Sequence, residues 1–324
     1  MKKLWRVSAF ILMAALCAAT NAQDKYPSQP IRMIVPFPPG GGTDLVARVI
    51  STELGKATGW ALAPDNKPGS GGSLGLSLGG KAKADGYTLV MAQNANLVIN
   101  PLLGTGNYDP VKDFAPVVLT ASAPMVMIVA KDAKYKSLND ILAAAKASPG
   151  SIKFASPGVG TSGHLAGELL QQLSGTKFLH VPYKGTSQAL PDLLGGRIDL
   201  FIATVASLMP QIKEGTARSL VVFDKARQAE LPDTQTIVEL GYPGGEAVTW
   251  WGVVAPAGTP REIVVRLNKE INAVLKNPAV QAQLKNGGAD VHTGTGTVEE
   301  FVDLIKSDVP KWRSVIEKAN IKPR

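Results

Sequence analysis

Short β-branched runs alternate with helix-period patterns from one end of this chain to the other, and that alternation restricts the fold more than any other feature. Candidate strands are Ile31–Val35, Tyr87–Met91, Met125–Ala130, Ile152–Ala155, Phe178–Val181, Ile198–Ile202, Leu220–Phe223 and Val253–Ala255. Between them Leu45, Val46, Val49, Ile50 and Leu54 share one helical face, as do Leu165, Leu169, Leu170 and Leu173 ahead of Gly175. Leu190, Leu193 and Leu194 repeat the pattern before Gly195 and Gly196. Capping-box spacing marks two later helix starts: Thr259-Pro260-Arg261-Glu262, with proline at the first helical position, and Thr297-Val298-Glu299-Glu300. Strands separated by helices predict an α/β fold of mostly parallel sheets covered by helices. A length of 324 residues points to about two domains, and 45% hydrophobic residues supply their cores.

Two of the strand-to-helix turns share one design. Ile31–Val35 runs into Pro36-Phe37-Pro38-Pro39-Gly40-Gly41-Gly42-Thr43-Asp44, and Ile152–Ser156 runs into Pro157-Gly158-Val159-Gly160-Thr161-Ser162-Gly163. Each turn would aim unpaired backbone N–H groups and the positive end of a helix dipole at whatever sits above it, which favours an anion. Two such loops facing one ligand are easiest to arrange on two lobes, with the cleft at the carboxyl ends of the strands. Tyr242–Trp251, rich in glycine and aromatics, is a candidate crossing segment between them.

The N-terminus reads as an export signal. Lys2, Lys3 and Arg6 precede an apolar run from Val7 to Ala19 and then Thr20-Asn21-Ala22, so residues 1–22 are a signal peptide with cleavage expected after Ala22. The run falls short of the ~20 residues a spanning helix needs. Leu16 before Cys17 disfavours a lipoprotein, and Pro116 and Pro124 interrupt the later apolar stretch. Cys17 is the only cysteine and would leave with the signal, so the mature chain has no disulfide and no thiolate chemistry. Its formal charge falls from +8 to +5, a spread excess that helps to collect anionic solutes. The basic stripe with interleaved aromatics of a nucleic-acid binder is missing.

Three literal motifs compete with the anion-loop reading. Gly158-Val159-Gly160-Thr161-Ser162-Gly163 matches the dinucleotide fingerprint, but Leu179–Gly185 lacks the acidic residue that would hold a ribose. The first loop lacks the lysine of a phosphate-binding Walker sequence. Gly71-Gly72-Ser73-Leu74-Gly75 matches a nucleophile elbow and keeps open an exported serine esterase using Ser73, with His164, His180 or His292 as base. An elbow needs a strand running directly into its first glycine, whereas Asn66–Ser70 reads as a turn. The three histidines lie far apart without metal-ligand spacing, so no metal site is expected. Asp44 reads as a structural cap that accepts backbone N–H groups and fixes its loop. His164, Lys184, Asn94 and Asn96 each admit a ligand contact or an ordinary structural role.

Taken in order, several segments resemble one known family. Ile34-Val35-Pro36-Phe37-Pro38-Pro39-Gly40-Gly41-Gly42-Thr43-Asp44, Asn66–Gly72, Asp85-Gly86-Tyr87-Thr88-Leu89 and Ser162-Gly163-His164-Leu165-Ala166 are similar to the tripartite tricarboxylate transporter substrate-binding proteins, the Bug family. Val181-Pro182-Tyr183-Lys184-Gly185, Leu194–Asp199 and Trp251–Pro260 extend the resemblance over the mature chain. It implies a periplasmic, two-lobed Venus-flytrap fold of the type II kind, not an enzyme, that delivers a small di-, tri- or aromatic carboxylate to a membrane permease. It further implies a terminal lobe of residues 23–122 with 251–324 and an inserted lobe of 123–250. A monomer without cofactor or metal is expected. A rival reading is a sensing module that hands the same ligands to a membrane receptor. Ligand contacts carried over from the family fall on Phe37, Gly40, Gly41, Gly42 and Thr43 in one lobe and on Ser156, Gly160, Thr161, Ser162 and His164 in the other. Asn94, Tyr183 and Lys184 are further cleft positions. Where many relatives place Asp or Asn, this chain has Thr204, whose neutral hydroxyl gives no partner for a ligand ammonium and favours a non-amino organic acid.

Overall fold

Strand order, rather than strand number, positions the site. The structure, a computed structural model, describes residues 26–292 and 294–321. The signal peptide, Cys17 and the cut after Ala22 lie outside these residues. In chain order the elements begin with β1 (Ile31–Val35), α1 (Gly42–Thr58), β2 (Leu62–Asn66), α2 (Ser73–Gly80) and β3 (Thr88–Gln93). A π-helical turn (Ala95–Ile99) leads on to β4 (Phe114–Ala130) and α3 (Leu138–Ala147). Then come β5 (Lys153–Ser156), α4 (Ser162–Ser174), β6 (Leu179–Pro182), α5 (Thr186–Leu194), β7 (Leu200–Thr204), α6 (Val205–Lys213) and β8 (Ala217–Val222). The chain closes with β9 (Val248–Pro256), α7 (Arg261–Leu275), α8 (Pro278–Asn286), β10 (Asp290–Val291) and α9 (Val298–Ala319).

The strands form a mixed sheet in the order β2-β1-β3-β9-β4-β7-β5-β6, with β10 and β8 also pairing with β4. Its two halves repeat one arrangement. β1 lies between β2 and β3, β5 lies between β6 and β7, and all four pairings are parallel. Strand β4 joins the halves: Phe114–Pro124 pairs antiparallel with β9, and Met125–Ala130 pairs antiparallel with β7 and β8. It is thus far longer than the Met125–Ala130 strand expected from sequence. Pro116, which cannot donate to a ladder, sits where the β4–β9 register slips, the kind of place that tolerates a proline. β2 is not among the candidate strands; its Pro64 is tolerated because β2 is the sheet edge.

Local chemistry fixes the helix ends. α1 stops at Gly59 and α4 at Gly175, both left-handed with φ of 76° and 65°, which glycine adopts without steric cost. The Thr297 side chain caps α9 by accepting from Glu300 N, as its spacing predicts. The Thr259 box does not form. Thr259 Oγ1 donates to Pro256 O at 2.7 Å, Pro260 takes the cap position, and α7 starts at Arg261. Apolar cores fill both halves, around Val46, Ile50, Trp251 and Leu267 in one and Val126, Phe201 and Leu208 in the other. A third cluster connects them through α9, whose Trp312 and Val315 share a core with Phe154 and Leu165. Gln172 of α4 donates to Val315 O at 3.1 Å, so the C-terminal helix touches the second half as well as the first. Among the described residues no helix is long and apolar enough to cross a membrane.

Candidate ligand-binding site

The carboxyl ends of β1, β3, β5 and β7 meet where the strand order reverses in each half-sheet, the position at which open α/β sheets collect ligands. A small cavity lies there. Its walls include Phe37, Gly41, Gly42 and Thr43 from the first loop and Thr161, Ser162 and Gly163 from the second. Thr204 and Ser207 at the start of α6, and Gly185 and Thr186 at the start of α5, complete its second-half wall. Four helices, α1, α4, α5 and α6, therefore point their N-termini at one space. The wall contains no charged side chain, so the field inside is that of helix dipoles and hydroxyls, which favours an anion.

The first loop is braced by charge. The N-cap of α1 is Gly41, which has no side chain to cap with, and the carboxylate of Asp44 in the first turn instead accepts from the residue before the cap. Asp44 Oδ2 accepts from Gly40 N at 3.1 Å and from Arg48 Nε at 2.9 Å, while Oδ1 accepts from Asn66 Nδ2 at 3.0 Å. The same Asn66 nitrogen reaches Phe37 O at 2.9 Å and so ties down the strand end. Burial pushes the Asp44 carboxyl up, but the bonds from Arg48, Asn66 and Gly40 outweigh it and hold the group below its ordinary value. Trp251 Nε1 donates to Thr43 Oγ1 at 3.0 Å and closes the floor.

The second loop is braced by hydroxyls and rings. The Thr161 side chain caps α4, accepting from His164 N. Ser156 Oγ lies 2.7 Å from His180 Nε2, and the His180 ring stacks on His164 at 4.0 Å and on Phe154 at 4.6 Å. Gly160 N donates to His164 Nδ1 at 3.4 Å, and Glu168 approaches the other ring nitrogen at 3.7 Å. Burial raises the Glu168 carboxyl, opposed in part by Gln171.

The halves touch across the cleft, each loop against an element of the other half. Gly42 N donates to Ser207 Oγ at 2.8 Å, and that hydroxyl is 2.7 Å from Thr204 Oγ1. Ser162 Oγ donates to Asn94 Oδ1 at 3.0 Å, while Asn94 Nδ2 holds Val248 O at 2.9 Å. A β-carbon on Gly42 would come within 2.9 Å of Thr204 Oγ1 and of Trp251 Cζ2. Glycine here is what allows the halves to approach so closely.

Of the residues singled out from sequence, Phe37, Gly41, Gly42, Thr43, Thr161, Ser162 and Thr204 line the cavity. Ser156, Gly160 and His164 are buried off its wall and hold the second loop, and Gly40 is exposed and lines a separate surface groove. Asn94 lies between the halves, and Tyr183 and Lys184 line a larger neighbouring groove. Sequence reasoning missed Gln93, Thr186, Ser207, Thr249 and Trp251. Ser207 had a readable signal, since Thr204 and Ser207 have the spacing of an N-cap and its partner three residues on. Ser73 is buried at the start of α2, where its Oγ accepts from Asn100 Nδ2 at 3.0 Å. An amide partner cannot serve as a general base. The Gly71–Gly72 segment is a 3₁₀ turn rather than the end of a strand, so the elbow geometry is absent.

Residues 46–321 match the model of the tripartite tricarboxylate transporter family receptor. Among curated proteins, the UPF0065 protein of the tcbD-tcbE intergenic region of a Pseudomonas species is 41% identical over 314 residues, covering 96% of this chain and 93% of its own length. A solved R. palustris protein with adipate is 33% identical with a TM-score of 0.88, covering 92% of this chain and 100% of that one. MatC of Rhodopseudomonas palustris, solved with bound malate, is 29% identical with a TM-score of 0.84 over 90% of this chain and 100% of that one. The strand order, the converging helix starts and these matches agree: the chain belongs to the tripartite tricarboxylate transporter receptor family and has its two-lobed binding-protein fold.

Proposed function

We propose that this chain captures a small organic carboxylate between its lobes in the periplasm and delivers it to the membrane permease of a tripartite tricarboxylate transporter. The single observation that carries the ligand class is the convergence of four helix N-termini on a cavity whose wall bears no charged side chain. Structures of relatives with adipate and malate support the same class. Residues 23–122 with 251–324 form the first lobe and 123–250 the second; the change of partners in β4 from β9 to β7 at Pro124–Met125 supports a hinge near this boundary.

Ligand docks on the open first lobe, its carboxylate on the amides of Gly41–Thr43. Closure then adds Thr161, Ser162 and Thr204 from the second lobe. Because only the closed state presents both donor sets, the ligand shifts the population by its differential affinity. Gly40, Ser156, Gly160 and His164 position the loops, Asn94 latches the lobes, and Asp44 is structural. The protein performs no chemistry and works as a monomer, exported with its signal peptide removed after Ala22.

A thermal-shift screen of organic acids on the exported protein tests this. An acid at a hundred times its dissociation constant should stabilise the fold by about 2.7 kcal/mol. If no carboxylate raises the transition, the assignment fails. Turnover of an ester that disappears in Ser73→Ala would replace it with the hydrolase reading.

A further inference from the structure

We propose that the ligand is an acid with an extended apolar tail, whose head alone enters the inner cavity while the tail lies in an outer groove; this rests on the carboxylate reading above. The inner cavity offers about 40 Å³ to the centres of water molecules, room for roughly three waters at about 10–15 Å³ each. That accommodates a carboxylate and a carbon or two. Small-molecule sites usually run to about 300–1,000 Å³, so the inner space is the head of a larger site.

The rest of that site is next door. A groove of about 490 Å³ lies against the inner cavity, with Phe37, Pro38 and Pro157 on the walls of both, so these three side chains form the partition that an entering tail would pass. Both lobes build it, with Leu103 on one side and Val159 and Tyr183 on the other. Gly71 at φ 60° and Gly158 at φ 146° bring bare backbone to its walls, and there the two halves close on each other: a β-carbon on Gly71 would come within 2.7 Å of Val159 O. Across both compartments Lys184 is the one charged side chain on the described walls, and it is exposed at the rim. No carboxylate lines either space, so an ammonium on the tail finds no partner. A second anion at the rim would meet only a solvated lysine, whose attraction water largely screens. Apolar contact along Phe37, Pro38, Val159 and the Tyr183 ring, beside the hydroxyls of Ser70 and Thr105, is what the groove supplies.

Isothermal titration of the exported protein with propionate, hexanoate, octanoate, phenylacetate and adipate separates the outcomes. Affinity should rise about two- to fourfold per methylene from propionate to hexanoate, with hexanoate binding at least as tightly as adipate. Val159→Thr, which removes apolar surface without placing a charge in the carboxylate loop, should weaken hexanoate several-fold and propionate clearly less. Propionate and hexanoate binding equally would overturn the tail proposal and leave the carboxylate reading standing. Adipate binding tighter than hexanoate, with the preference abolished in Lys184→Gln, would replace the apolar tail by a two-ended acid. No binding by any acid in the series would overturn both.

Discussion

The two candidate ligand loops use the same backbone device, a strand running through a Pro/Gly turn into a helix N-terminus, yet they are held in place by different chemistry. The first is fixed by an ionised carboxylate, Asp44, gripped by Arg48, Asn66 and Gly40. The second is fixed by hydroxyls and stacked rings, with Ser156 on His180, His180 on His164, and Thr161 capping the helix. Their glycines differ as well. Gly42 faces Thr204 and Ala206 on the opposite lobe, whereas Gly163 faces Ile202 O and Pro157 within its own lobe. At Gly42 the first loop receives the other half of the molecule; at Gly163 the second is packed into its own sheet, although its Gly160 lies against Asn100 and Leu103 of the first half. Equivalent substitutions should therefore fail in different ways.

Gly163→Ala should have the largest effect, and on folding. Its β-carbon would run into the carbonyl of Ile202, a strand backbone atom that cannot swing aside. Overpacking of this kind costs up to about 3 kcal/mol, and a Tm fall of up to roughly 5 °C follows for a chain of this size. A ligand-free melt within a degree of the parent would remove the distinction between the loops. Gly42→Ala should instead strike closure. Thr204 Oγ1 and Ala206 Cβ lie 2.9 and 3.1 Å from the added carbon, and both belong to the lobe that has to arrive. An obstruction costing about 2 kcal/mol weakens carboxylate binding about thirtyfold. Its Tm without ligand should fall clearly less than that of Gly163→Ala, since only the Trp251 ring must yield within the first lobe. Equal affinity losses in the two variants, measured by titration, would show that Gly42 does not report on closure.

Asp44→Asn addresses the charged brace, and its effect depends on pH. The folded protein holds the Asp44 carboxyl below its unfolded value of about 3.9, so folding favours the ionised form. That contribution is fully present above about pH 4 and is lost as the pH falls through the depressed folded value. Arg48 is half exposed, which reduces its share. The buried bonds from Gly40 and Asn66 leave about 1 kcal/mol. The variant should melt below the parent at neutral pH, and the gap should close as the pH drops below about 4. A gap that stays constant down to pH 2.5 would mean that the carboxylate's charge does not brace the loop.

How these loops were legible is instructive. Both were visible as strand, Pro/Gly turn and hydroxyl residues, because each piece of that signal is local. Asp44 was readable as a cap for the same reason: its acceptor role depends on a residue four positions away. The stacked His164–His180 pair was not, since it depends on a parallel strand pairing that sets Phe154 beside His180. Ser207 and Trp251 were missed because they reach the cavity only when the two half-sheets face each other. β4 was cut short in the sequence reading because its prolines argue against a strand, and only the register slip against β9 accommodates Pro116. Local chemistry could be read along the chain, while cross-lobe placement could not.

Ser162→Ala should give the smallest effect, and it probes the boundary between the two kinds of loop. Ser162 belongs to the internally packed loop, yet its hydroxyl donates across the cleft to Asn94 Oδ1. Asn94 itself is held by Val248 O, close to where the chain crosses between half-sheets, so the bond links the second loop to the hinge region. Removing the hydroxyl leaves the α4 cap intact, because Thr161 supplies it. The loss is one neutral hydrogen bond in the closed state, about 1 kcal/mol, or roughly fivefold in affinity. The open state loses nothing by this change, since its serine and asparagine are both free to bond water. Ligand dissociation should therefore accelerate by about the same factor, with association nearly unchanged. Stopped-flow kinetics would separate the two rates. A slower association with unaltered dissociation would place Ser162 with the docking surface rather than with the latch.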